Sequence, residues 1–435
     1  MATSKTPNGD SAPHGDSTSK TGSGPNTGSA PHGDGAPNAL SAPARLRLSP
    51  MRPRDPDEEG RAASTLELFF DLVFVIAVSI ASSHLHDTIT AGRLGEGVVS
   101  YLLVFFGIWW AWMNFTWFAT SFDTDDWLYR LLTIVQMGGV LILAAGIGPV
   151  FDDGDFRLLI AGYVLMRLIM ISQWLRASRG AGRARWTTIV YACGIGIAQI
   201  LWVAWLAIDD PVFRGLGLGV LILAEVAVPV VAETRGTTPW HPHHITERYG
   251  CFTIIVLGES LLASANTIFD ALGEVEDIVP LISLGVLSLI VTAAMWWIYF
   301  WPPHHRTIGS LGGSLRYGYG HYFIFAAAGA FSAGVGIEAD SQLGASALDP
   351  ALATFTVSVP IAVFVLGVWV LAIRANADAV VNTVVPACAL LVLLDPIIPV
   401  PTFLTTFFMV IIVITLVVFP PKDENGKTGA EAIVR

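Results

Sequence analysis

Charge is scarce in this sequence: 14% of its 435 residues are Asp, Glu, Lys or Arg, against about 25% in an ordinary soluble domain. What charge there is sums to -11, and no basic patch offsets it, which argues against nucleic acid as a partner. Cysteine is sparse too. Cys193, Cys251 and Cys388 are dispersed through apolar runs, odd in number and without zinc-motif spacing, so reduced, packed thiols are expected rather than a disulfide framework. The sequence has no phosphate loop, nucleophile elbow or dinucleotide fingerprint, so it names no cofactor, no catalytic residue and no enzyme class. No apolar stretch follows the first residues, so a signal peptide is not expected and insertion would rely on the first spanning helix.

What the chain has instead is apolar length. At 53% hydrophobic residues and a mean hydropathy of +0.60, it reads as a membrane protein whose first partner is the lipid bilayer. The expected fold is all-α, a polytopic transmembrane helix bundle of about twelve spans. These fall near 66–86, 97–120, 127–150, 155–176, 186–207 and 212–232, then 245–269, 278–301, 318–338, 352–373, 379–395 and 401–420. The span 379–395 is short and holds Pro386, so a re-entrant segment is the alternative there. Residues 1–60 are rich in Ser, Pro, Gly, Asp and Asn and repeat Ser-Ala-Pro-His-Gly-Asp at 11–16 and 29–34. Such a composition buries too little to offset chain entropy, so a disordered N-terminal tail is expected. The transmembrane domain would then cover 61–421, with halves 61–235 and 236–421, leaving 422–435 as a C-terminal tail.

Arginine and lysine set the expected orientation. With the N-terminus cytoplasmic in a plasma membrane, the inner loops carry Arg176, Arg179, Arg183, Arg185, Arg235, Arg248, Arg306, Arg316 and Arg374, and the tails add Arg45 to Arg61, Lys422 and Lys427. The outer loops keep Arg93, Arg157 and Arg214. Trp109-Trp110-Ala111-Trp112 and Trp296-Trp297-Ile298-Tyr299 close the second and eighth spans, while Glu67 and Glu247 open the first and seventh. Two six-helix halves in parallel repeat would account for this. An interfacial aromatic belt accounts for the tryptophans equally well.

Two stretches carry a family resemblance. Glu67-Leu68-Phe69-Phe70-Asp71-Leu72-Val73-Phe74-Val75 opens the first span, and His244-Ile245-Thr246-Glu247-Arg248-Tyr249-Gly250 leads into Leu257-Gly258-Glu259-Ser260. In that order they resemble the signatures of the bacterial low temperature requirement A (LtrA) family of polytopic membrane proteins. The resemblance implies a bacterial inner-membrane protein, and the family name a link to growth in the cold. It implies no reaction.

The candidate site residues are the charges that the spans enclose. Arg167, Glu225 and Glu259 lie twelve to fourteen residues into the fourth, sixth and seventh spans, near mid-membrane at about 1.5 Å per residue. Unpaired charge there is costly, so Arg167 should pair with Glu225 or Glu259 and leave the other carboxylate protonated or facing water. Such a set forms either a pathway or an interhelical clamp. Nearer the cytoplasm, Glu67 and Asp71 share a helix face and a depth with Arg130 and Arg248, as a network or a helix-end anchor, with Arg130 the expected partner of Asp71. His241, His243, His244, His304 and His305 gather at the inner interface as weak metal candidates, because no zinc-binding spacing links them. Transport of a small solute or ion through the buried charges is the leading expectation. An intramembrane metal-dependent hydrolase or lipid-modifying enzyme, or a non-catalytic membrane factor, are the alternatives. The sequence leaves the oligomeric state open.

Overall fold

A computed structural model describes residues 48–422, apart from 235, 272–278 and 399–402. The tail through residue 47, Arg235 and Lys427 lie outside the described residues. The described chain holds helix and no strand. Its α-helices are α1 (Thr65–Thr90), α2 (Leu94–Phe122), α3 (Trp127–Ala145), α4 (Ile147–Asp153), α5 (Arg157–Ala177), α6 (Arg185–Trp205) and α7 (Pro211–Glu233). There follow α8 (Pro242–Ala271), α9 (Val279–Phe300), α10 (Leu311–Gln342), α11 (Pro350–Val368), α12 (Ala379–Leu391) and α13 (Phe403–Val418). Among the described residues, ten helical stretches are long and apolar enough to cross a membrane, and α13 is a shorter apolar helix.

The helices start where the sequence supplies a cap. Ser64 accepts from the Glu67 N–H while the Glu67 carboxylate accepts from Ser64 N–H, a reciprocal capping box for α1. Asp126, Asp210, Ser310, Asp349 and Asp378 cap α3, α7, α10, α11 and α12, with Pro211 and Pro350 in first-turn positions that need no N–H donor. α11 runs on through a π-helical turn, Trp369–Ile373, and a last α-helical turn, Arg374–Asn376. The doubtful span around Pro386 is helical from Ala379, tightens to a 3-10 turn over Val392–Ile397, and is long enough to cross.

α1 occupies the centre and packs on α2, α3, α8 and α10. On one flank α5, α6 and α7 follow by neighbour contact, and on the other α9, α12 and α13. Two mid-helix glycines allow close helix approach: a Cβ on Gly162 of α5 would run into the backbone of Leu143 and Gly139 on α3, and one on Gly334 of α10 into the backbone of Thr356 on α11.

Residues 48–63, assigned on composition mostly to the disordered tail, lie against the proximal end of the bundle, where α1 begins. Met51 is buried and Arg54 N–H donates to Ser121 O at 2.9 Å. Arg61 donates to the carbonyls of Thr120 and Ala119 at 2.7 and 3.1 Å, satisfying the C-terminal turn of α2 with the charge sign its dipole favours. Burial would raise the Asp126 carboxyl, but bonds from Arg176 and from the Tyr129 and Ser49 N–H groups outweigh it and hold it below the usual range. A short run of donors, not a hydrophobic pattern, orders this segment.

Candidate functional site

Three carboxylate sites hold Glu67 with Asp71, Glu225, and Glu259, the first two sites buried and the third half-buried. The first lies near the proximal end, where α1 meets α8. Arg248, fully buried, donates from Nη1 to Glu67 at 2.9 Å and from Nε to Asp71 at 2.9 Å, and its Nη2 also bonds Asp71. Trp112 Nε1 donates to Asp71 at 2.7 Å, and the Arg248 guanidinium sits 5.9 Å from the Phe115 ring centre. His244 approaches Glu67 at 3.4 Å. One guanidinium thus ties together the two sequence blocks quoted above, 177 residues apart for Asp71.

Arg130 is not the partner of Asp71. Its side chain is 59% exposed and pairs with Asp125 at 2.7 Å, because the first turn of α3 points it outward while the same depth on α8 faces α1. Glu247, exposed, accepts from the Ala63 N–H at 3.1 Å.

The second site is Glu225 on α7. Arg167 Nη2 donates to it at 2.6 Å, and so do Trp110, Tyr163, Gln199 and Trp202 at 2.9, 2.9, 3.0 and 3.2 Å. Five donors from α2, α5 and α6 saturate one carboxylate, and both ends of the ion pair are buried. Trp110 and Trp112 therefore do not belong to an interfacial belt: α2 continues ten residues past Trp112, and both indoles are buried against carboxylates. Trp296 and Trp297 are 45% and 42% exposed, as a belt requires.

The third site is Glu259 on α8, half-buried. Ser79 Oγ donates to it at 2.5 Å, and among the described residues no Arg, Lys or His forms an ion pair with it. It lines a cavity of about 220 Å³ with Ser79, Ser82, Ser83, His86 and Ser332. His86, near the distal end of α1, bonds Asp340 at 2.8 Å. On the proximal side Phe74 and Phe252 are buried, and Trp112 stacks on Phe252 with ring centres 4.5 Å apart.

The histidines read as metal candidates make other contacts. His241 Nε2 meets Glu58 O at 3.0 Å while its Nδ1 accepts from the His244 N–H at 3.1 Å. His304 donates from Nε2 to Tyr299 O at 2.6 Å, and burial pushes it down to about 4. His243 and His305 stack with centres 4.2 Å apart. Among the described residues no three His, Cys, Asp or Glu side chains are grouped to hold a metal. Sequence reasoning passed over Gln199, Tyr163 and Glu233, and a polar side chain inside an apolar run was the signal available for each.

These features define a polytopic helical membrane protein with internal carboxylate sites. The chain belongs to the LtrA family: the bacterial low temperature requirement A signature matches residues 62–418. It is also 29% identical over 262 residues to an uncharacterized protein, RA0937, of Rhizobium meliloti (strain 1021). That match covers 58% of this chain and spans 62% of the relative's length.

Proposed function

We propose that this LtrA-family protein moves a small cation or a cation-coupled polar solute across the membrane, with Glu259 as the group that binds or releases charge. One observation carries the reading: of the three mid-span charges, Arg167 and Glu225 neutralise each other, whereas Glu259 faces a polar cavity with a serine as its bonded partner. A carboxylate at that depth is stable when it is protonated, hydrated or holding a cation, and exchange among those states is what coupling needs. The serine hydroxyls offer oxygen atoms to a cation that sheds its water.

The reading places twelve spans in the plasma membrane, counting α8 and α13, with the N-terminus cytoplasmic. The cavity then opens outward, and the aromatic layer around Phe74 and Phe252 closes the cytoplasmic path. Arg167 and Glu225 serve as a clamp that holds α5, α6 and α7 to α2. The experiment is ion and solute flux in proteoliposomes as a function of pH, comparing the wild-type protein with Glu259→Gln. The amide keeps shape and an acceptor for Ser79, so the variant should fold and lose pH-dependent flux. Unchanged flux in a folded Glu259→Gln protein would overturn the assignment.

A further inference from the structure

A second cavity, of about 50 Å³, lies at the proximal end, between the ends of α2, α5, α6 and α7 and the start of α10. Its walls include Trp117, Trp174, Tyr191, Trp240 and Tyr319, and its floor holds Glu233, the last residue of α7. Glu233 is buried. It accepts from Tyr191 OH at 2.9 Å, Thr238 N–H at 2.9 Å and Thr238 Oγ1 at 2.7 Å. All three donors are neutral, and among the described residues no cation pairs with this carboxylate.

Four of the five aromatic walls have their polar atoms engaged with protein, Tyr191 on Glu233 as above, while the Trp174 N–H is buried without a partner among the described residues. Trp117 Nε1 donates to Tyr249 OH at 3.1 Å, Trp240 Nε1 to Ile308 O at 3.2 Å and Tyr319 OH to Val226 O at 2.8 Å. Trp174 and Tyr191 stack in parallel, 4.2 Å between centres. Ring surface and the Glu233 carboxyl make up much of the lining, beside Asn114, Thr238 and Ser314. Aromatic rings attract cations through their quadrupole, most strongly where water is excluded, and a buried carboxylate gains most from a counter-charge.

We propose that this chamber binds a small primary ammonium group, as a soluble amine or as the amine of a lipid headgroup. A volume of about 50 Å³ has room for a few groups of water size, at about 10–15 Å³ each on the same measure, which suits an ammonium or methylammonium head. The chamber shares no lining residue with the Glu259 cavity, so it stands whether or not that cavity conducts.

The test uses the full chain in amine-free detergent, titrated with methylammonium chloride against sodium chloride of equal ionic strength, reading tryptophan fluorescence and apparent Tm. A saturable response to methylammonium, absent with sodium and lost in Glu233→Gln, is expected. Trp117→Leu and Trp240→Leu should each weaken binding about tenfold, the worth of one desolvated cation–π contact. Should Glu233→Gln fail to fold, those two variants decide: unchanged affinity in both overturns the site. An equal response to sodium, no saturable response, or an undiminished response in Glu233→Gln also overturns it. Nanodiscs separate the sources. If phosphatidylethanolamine discs compete away the methylammonium response that phosphatidylcholine discs retain, the lipid headgroup is the ligand, and equal responses in both assign a soluble amine.

Discussion

The α1–α8 pair treats charge in two ways along its length. Near its proximal end Glu67 and Asp71 close on Arg248, and the cluster is buried on every side. Eight residues further along α1, about 12 Å at 1.5 Å per residue, Ser79 is the bonded partner of Glu259 beside an open polar cavity. The same helices thus hold two carboxylates closed on a buried guanidinium and one carboxylate that borders a polar cavity. Fixed pairs set register; an underpartnered acid leaves a degree of freedom. The Glu225 site sides with the first kind, since five donors leave no acceptor capacity for a passing ion.

Breaking the fixed sites should cost stability in proportion to what each break strands. Arg248→Ala leaves two buried carboxylates facing each other and should lower stability by roughly 4–5 kcal/mol, seen as failed expression or a large drop in apparent Tm in detergent. Asp71→Asn, which keeps an acceptor for Trp112 and Arg248, should be milder than Asp71→Ala. Arg167→Ala comes next, at about 3–4 kcal/mol, because Glu225 retains four neutral donors. A smaller loss for Arg248→Ala than for Arg167→Ala would reverse this ranking.

Acid should reveal His304, outside the spans. Its Nδ1 is buried without an acceptor, so protonation there adds a donor with no partner. With the folded value at about 4 and the ordinary one near 6.5, the unfolded chain takes up the proton first as pH falls. The stabilisation is full above about pH 6.5 and is lost as pH drops toward 4, about 3 kcal/mol in all. The difference in apparent Tm between wild type and His304→Gln, followed from pH 7 to 4, should shrink accordingly; a constant difference would show that His304 does not titrate there.

Glu259→Gln should change stability by less than about 1 kcal/mol, since Ser79 keeps its acceptor, in contrast to every substitution at the fixed sites. Unfolding of that variant in detergent would place Glu259 with them.

Helix positions were legible because spanning length and caps are written locally: Ser64 with Glu67, Asp210 before Pro211 and Asp349 before Pro350 announce their helices. The depth of Arg167 and Glu225 was legible too, since residue count converts directly to rise. Partnership was not. Which face of α3 turns inward depends on neighbours that contribute no local signal, so Arg130 was expected in the place that Arg248 takes beside Asp71. The tryptophans misled for a related reason: an indole paired with a buried carboxylate and one in a headgroup belt have the same sequence. Ordering of residues 48–63 rests on backbone donors and Arg61, which hydropathy does not register.

The smallest effect is expected at Arg130, the residue that the sequence placed beside Asp71. Arg130 and Asp125 form a bidentate pair at 2.7 and 2.9 Å, and its short, aligned bonds look as strong as those of Arg248. Both partners are more than half exposed, however. Water solvates either charge once the other is removed, and the gain from pairing is offset by ordering two side chains and by salt. Arg130→Ala should therefore leave apparent Tm within measurement error at physiological ionic strength, in the same assay that registers Arg248→Ala as severe. Asp125 adds one local consideration, since it adopts a left-handed backbone with φ 44°. If Arg130 holds that turn, the loss in Arg130→Ala should be recovered by Asp125→Gly, which takes the same backbone without strain. A drop for Arg130→Ala comparable with Arg248→Ala, not recovered by Asp125→Gly, would return Arg130 to the Asp71 cluster.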